Sequence, residues 1–129
     1  MPLTGQRILL VEDEIIVAID IKSALHAAHG EVAGCAATVT KAMMLADTPN
    51  LSLAILDFQL RSGNSLPVAA KLHALGVPFI FHTASKLPVL TEVWPQVPIV
   101  WKPAAPGSLV AALASLVEKR QQVDGPKAA

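Results

Sequence analysis

The sequence predicts a doubly wound α/β fold, an open five-stranded parallel sheet with helices on both faces, and three observations carry that prediction. Short runs rich in Ile, Val, Leu and Phe recur along the 129 residues at Arg7–Val11, Glu31–Ala36, Leu51–Leu56, Val77–Phe81 and Pro98–Trp101, each too short for an independent helix. They lack the strict alternation of a half-exposed sheet, and continuous apolar runs are what strands need when both faces are covered. The segments between them carry helical spacing, so strand and helix alternate through the chain.

The first strand, Arg7–Val11, runs into Glu12, Asp13 and Glu14, and a helix spans Glu14–His29 with Gly30 as its stop. Glu31–Ala36 is the second strand, and Val39–Asp47 a second helix ended by Pro49. The third strand delivers Asp57 in "LAILDFQL", and a third helix covers Ser65–Leu75 before Gly76. The fourth strand leads to Thr83 in "FIFHTAS". The following "SKLPVLTEVWPQVP" holds Pro88, Pro95 and Pro98 where a fourth helix belongs. Proline removes a backbone donor and clashes with the preceding turn, so that helix is expected to be short or irregular and the least regular part of the fold. The fifth strand ends at Lys102–Pro103, and Pro106–Gln122 forms the last helix with Lys119 and Arg120 near its end. One domain over residues 1–122 and a flexible tail over 123–129 are expected from the polar, small "QQVDGPKAA".

Composition narrows the function classes. Ten basic and ten acidic residues cancel, so no global field draws the chain to nucleic acid or to an anionic membrane. A single cysteine, Cys35, makes no internal disulfide, and no apolar run is long enough to span a bilayer or resembles a signal peptide; a reducing, cytoplasmic setting is expected.

Open parallel sheets bind ligands beyond the carboxyl ends of their strands. Here those ends carry Glu12, Asp13, Asp57, Thr83 and Lys102. Clustered carboxylates form a hard oxygen site suited to Mg2+, which binds phosphate oxygens as well, and the metal would offset the repulsion among the acids. An Asp carboxylate can attack a phosphoryl group while a metal and a lysine neutralise the transferring oxygens.

With these residues in this order, the chain resembles a receiver domain of two-component response regulators. The resemblance implies a flavodoxin-like sheet of order 2-1-3-4-5, with Asp57 as phosphoacceptor and Asp13, Glu12, Asp57 and the Gln59 backbone carbonyl around Mg2+. It further implies Thr83 as the switch hydroxyl, Lys102 as the phosphate contact and a cis Lys102–Pro103 bond. The implied partners are a histidine kinase or histidine phosphotransferase and an unknown downstream protein, because no effector domain is expected; the chain would be a phosphoacceptor, not an enzyme. "VPFIFHTAS" and "LDFQLRSGNSLPVA" are similar to stand-alone alphaproteobacterial receivers whose strand-four motif reads Phe-Ala-Thr-Gly, with His82 and Ala84 replacing Ala and Gly. Arg61 stands where that group has proline, and Ile99 where receivers usually carry an aromatic switch residue, for which Trp101 is a possible substitute. Leu87, Val89, Leu90, Val93 and Trp94 make the fourth-helix region the expected place of rearrangement.

Rival readings are a dinucleotide-binding enzyme, opposed by acids where a glycine-rich turn is needed, and a haloacid-dehalogenase-like phosphatase, opposed by Gln59 where a second Asp is needed. A receiver-like interaction module without phosphorylation, or a receiver segment of a hybrid histidine kinase, remains open. Plainer roles are expected for Glu14 (helix start), His26, His29 and His73 (surface or boundary), Cys35 (core), Met43 and Met44 (helix packing), and Arg61 and Asn64 (solvent). His82 either borders the site or turns away from it.

Overall fold

The computed structural model describes residues 2–84 and 88–128, and of 88, 89 and 121–128 the backbone only. The elements run β1 (Arg7–Val11), α1 (Ile15–Ala27), β2 (Glu31–Ala36), α2 (Val39–Leu45), β3 (Leu53–Asp57), β4 (Gln59–Leu60), β5 (Gly63–Asn64), α3 (Leu66–Ala74), β6 (Phe79–Thr83), α4 (Pro88–Val93), β7 (Ile99–Trp101) and α5 (Pro106–Ala128). Five strands form one sheet in the order β2-β1-β3-β6-β7, every neighbouring pair parallel. This is the flavodoxin-like order 2-1-3-4-5 once the short β4–β5 hairpin is set aside.

Alternation along the central strands divides the core in two. Leu9, Val11, Ala54, Leu56, Phe79 and Phe81 pack with Val68, Ala69 and Leu72 of α3 and Leu90 of α4. Ile8, Leu10, Leu53, Ile55 and Ile80 pack with Ile21 and Leu25 of α1 and Leu109 and Leu113 of α5. Both faces of β1, β3 and β6 are therefore dry, which explains their unbroken apolar runs. The layers fix the strand ends, because sliding β3 or β6 by one residue would exchange their two buried faces.

Several local features differ from the sequence reading. The left-handed residue after α1 is His29 (φ 68), not Gly30. Gly30 is needed for space instead, since a Cβ there would meet Ile8 Cδ1 at 2.9 Å and the Leu25 carbonyl oxygen at 3.3 Å. Gly76 does take the left-handed stop after α3, at φ 73. Met44 is 69% exposed while Met43 packs on the core, and Cys35 is only half-buried. The α4 helix is six residues long, as its prolines demand; the expectation for Leu87 and for the side chain of Val89 lies outside the described residues. Backbone helix continues past Gln122 to Ala128. The polar composition that suggested a tail removes an apolar face to bury, but it does not forbid backbone hydrogen bonding.

Candidate functional site

The site is assembled by where the strands stop. Glu12 and Asp13 follow β1, Asp57 and Thr83 end β3 and β6, and Lys102 follows β7. Parallel register lines up Asp57 with His82, His82 with Val100, and Thr83 with Trp101, so these ends share one edge of the sheet. Oxygen atoms from Glu12, Asp13 and Asp57 lie within 4.8 Å of one another. Lys102 Nζ donates to Asp57 Oδ2 at 2.9 Å and stands 3.1 Å from Glu12 Oε1. The Lys102 backbone amide donates to the Thr83 carbonyl at 2.8 Å, tying the lysine to the end of β6, and the Lys102–Pro103 bond is cis as the resemblance implies.

Each acid is held differently. Glu12 Oε2 accepts the Glu14 amide at 3.1 Å, whereas Oε1 has an ion pair with Lys102 but no aligned hydrogen bond. Asp13 Oδ2 accepts the Arg61 amide at 2.8 Å, which pins the β4–β5 hairpin to the end of β1. The Arg61 side chain itself is solvent-exposed, as expected, with its Nε 3.9 Å from the same oxygen. Gln59 opens β4 two positions after Asp57. Asn64 is exposed but not idle: its Oδ1 accepts the Leu66 amide at 3.0 Å and so begins α3.

Burial sets the electrostatics. Asp57 is 5% exposed, and its carboxyl is raised from 3.8 to about 7, chiefly by desolvation, with the Lys102 hydrogen bond pulling the other way and the charge of Glu12 adding to the rise. For Lys102, burial alone would lower the pKa, but its contacts with Asp57 and Glu12 outweigh burial and the net direction is upward. Burial lowers the His82 pKa, helped by the Lys102 charge and opposed by that of Glu12. Lys102 is shared between Glu12 and Asp57, and Asp13 meets only the solvent-exposed Arg61 side chain at 3.9 Å, so the three carboxylates carry an electrostatic deficit that a hard divalent cation fits. The donors are all oxygen, and the buried Glu12 Oε1 lacks an aligned donor.

The Glu12, Asp13, Asp57 and Lys102 side chains thus converge, and Thr83 ends β6 at the same edge of the sheet, its backbone carbonyl accepting the Lys102 amide. His82, left open by the sequence, falls on the inner side: it is buried with Nδ1 3.9 Å from Glu12 Oε1. Its strand parity with Asp57 was the available signal, but that needed the strand to extend to Thr83. Ile99 packs on the α3/α4 side of the sheet and Trp101 is 43% exposed. Ile15 and Ile19 of α1, at 77% and 56% exposure, form an apolar rim beside Glu12 and Asp13, and Ile16 is exposed as well. The ordinary placements of Glu14 and His73 hold, the first at the helix start and the second edge-on to Trp94 at 5.3 Å.

Comparison with known proteins gives no matching family model and no matching curated protein. Solved structures do match. SdrG from Sphingomonas melonis Fr1 is 32% identical with a TM-score of 0.75, over 91% of this chain and 98% of that one. The response regulator PhyR from Brucella abortus is 27% identical with a TM-score of 0.81; 99% of this chain is covered, and it spans 55% of the length of PhyR. The PhyR receiver domain from Erythrobacter litoralis, 24% identical with a TM-score of 0.77 over 88% of this chain and 91% of its own, supports the fold. With SdrG matched almost end to end and receiver domains recurring among the structural neighbours, the chain belongs to the receiver domains of response regulators.

Proposed function

We propose that this receiver takes a phosphoryl group on Asp57 from a phosphohistidine of a histidine kinase or histidine phosphotransferase. The observation that carries the reading is the nearly buried Asp57, 2.9 Å from Lys102 Nζ and grouped with Glu12 and Asp13. An Asp57 oxygen forms the new P–O bond as the P–N bond breaks, and the donor imidazole regains a proton. Mg2+, when bound, would neutralise charge on the transferring oxygens. Glu12, Asp13, Asp57 and the Gln59 carbonyl are the donors that would hold it. Lys102 neutralises the opposite side of the group, and the Thr83 hydroxyl donates to a phosphoryl oxygen.

The chain then acts as a cytoplasmic phosphoacceptor rather than an enzyme with a separate substrate, and its output is a protein contact. The exposed isoleucines of α1 offer a phosphodonor partner an apolar surface beside the acids. Ile99 provides no rotating ring, so the downstream change is read through Thr83, its register partner Trp101, and the α4 region, where Trp94 packs on Phe79 at 5.5 Å. Among the described residues no helix is long and apolar enough to cross a membrane.

The direct test is incubation with Mg2+ and a small phosphodonor such as acetyl phosphate. A mass gain of one phosphoryl group, abolished in Asp57→Asn and by chelation of the metal, is expected. No gain in the wild-type chain with small donors or with phosphorylated kinase would overturn the reading in favour of an interaction module.

A further inference from the structure

We propose that His82 is a positioning residue that takes over the Glu12 carboxylate when Lys102 is drawn to a phosphoryl group on Asp57, an inference that rests on the phosphoacceptor reading above. Glu12 and His82 are each 3% exposed, so neither can turn to water for a missing partner. Glu12 Oε2 is fixed by the Glu14 amide; Oε1 faces two groups, Lys102 Nζ at 3.1 Å and His82 Nδ1 at 3.9 Å. Lys102 is shared with Asp57 at 2.9 Å. A phosphoryl group on Asp57 places new anionic oxygens beyond that carboxylate, and the ammonium that follows them leaves Glu12 Oε1 behind.

A buried carboxylate oxygen abandoned by its cation is costly, and the ring nitrogen 3.9 Å away, when it carries the proton, is the available remedy. Closing 3.9 Å to hydrogen-bond distance needs a shift of roughly 1 Å, the scale of a modest side-chain rotation. Room exists, because the imidazole borders a cavity of about 380 Å3 also lined by Val17, Ala84, Pro103 and Ala104. In the described arrangement neither ring nitrogen has a hydrogen-bond partner, an unfavourable way to bury an imidazole unless another arrangement uses it. The Nδ1–H tautomer suffices, so the exchange requires no change of charge on the ring. Glu12 thereby stays oriented toward the cation site in both states, first through Lys102 and then through His82.

The test compares Mg2+ affinity by calorimetry with and without beryllofluoride, a phosphoryl mimic, in the wild-type chain, His82→Leu and His82→Asn. Leu fills similar volume without a donor, and the Asn amide nitrogen can occupy the place of Nδ1. Without the mimic, Lys102 still serves Glu12 and all three chains should agree within about twofold. With it, His82→Leu should lose about tenfold in Mg2+ affinity, the scale of one hydrogen bond to a charged group, and His82→Asn should recover most of the loss. In the wild-type chain, the imidazole 15N–1H spectrum should gain a hydrogen-bonded Nδ1–H signal at saturation, a readout that needs no variant. An equal loss in both states, no loss in either, or an unchanged imidazole spectrum overturns the proposal. A wild-type chain that fails to bind beryllofluoride with Mg2+ overturns the Asp57 reading instead, and this inference with it.

Discussion

Replacing Asp57 with Asn removes a buried charge that opposes folding, and the size of the effect follows from the site. Burial, opposed by Lys102 and assisted by Glu12, raises the carboxyl from 3.8 to about 7. Between these values the unfolded chain releases a proton that the folded chain keeps, so stability falls as pH rises from about 4 to about 7. At about 1.4 kcal/mol per pKa unit, the full penalty above pH 7 is on the order of 4 kcal/mol. Asparagine loses the charge-assisted bond from Lys102 and turns an amide toward it, so about 2 kcal/mol of net stabilisation at pH 8 is expected. For a domain of this size, that corresponds to roughly 7 °C in melting temperature. Thermal melts followed by circular dichroism in chelator, from pH 4 to pH 8, measure it. The variant should melt higher at pH 8, with the gap closing toward pH 4, and Mg2+ should stabilise the wild-type chain more than the variant. A lower melting temperature for Asp57→Asn at pH 8, or a gap independent of pH, would refute the reasoning.

The other expectations concern neighbouring contacts. Lys102→Met leaves Glu12 and Asp57 facing each other without their cation; it should cost about 3 kcal/mol at pH 8 and recover on acidification, as pH-dependent urea titrations would show. Asp13→Asn keeps an oxygen for the Arg61 amide, so metal-free stability should change by less than about 1 kcal/mol while Mg2+ affinity falls, whereas Asp13→Ala should lose both. A large metal-free loss in the Asn variant would show that the charge itself holds the hairpin. Gly30→Ala places a methyl against Ile8 and the Leu25 carbonyl and should destabilise by about 1–2 kcal/mol in the same urea assay. In single-tryptophan chains, Trp101 emission should shift on saturation with Mg2+ and beryllofluoride, and unchanged emission would remove Trp101 from the switching path.

The sheet and most of the site were legible because the same physical fact encodes both. Strands covered on two faces must be apolar throughout, so Asp57 and Thr83 stand out where such a run meets the crevice. The boundaries shifted where strand ends lack contrast: β3 begins at Leu53, not Leu51, and β6 extends through Thr83. That extension decided the orientation of His82. The hairpin of Gln59–Leu60 with Gly63–Asn64 was invisible because two-residue strands carry no periodicity. Gly30 read as a helix stop because glycine marks both left-handed turns and tight packing, and only the position of Ile8 tells the two apart. The hold of Asp13 on Arg61 was hidden for a similar reason, since it uses a backbone amide that any residue there could supply.

That hold makes the β4–β5 hairpin a party to cation affinity. Asp13 Oδ2 is engaged by the Arg61 amide, so a cation held by this carboxylate would share it with the hairpin tie. The two events are thermodynamically linked, and linkage runs in both directions. Under the proposed metal-dependent function, anything that shifts the exposed hairpin would then shift cation affinity as well, without touching a single acid.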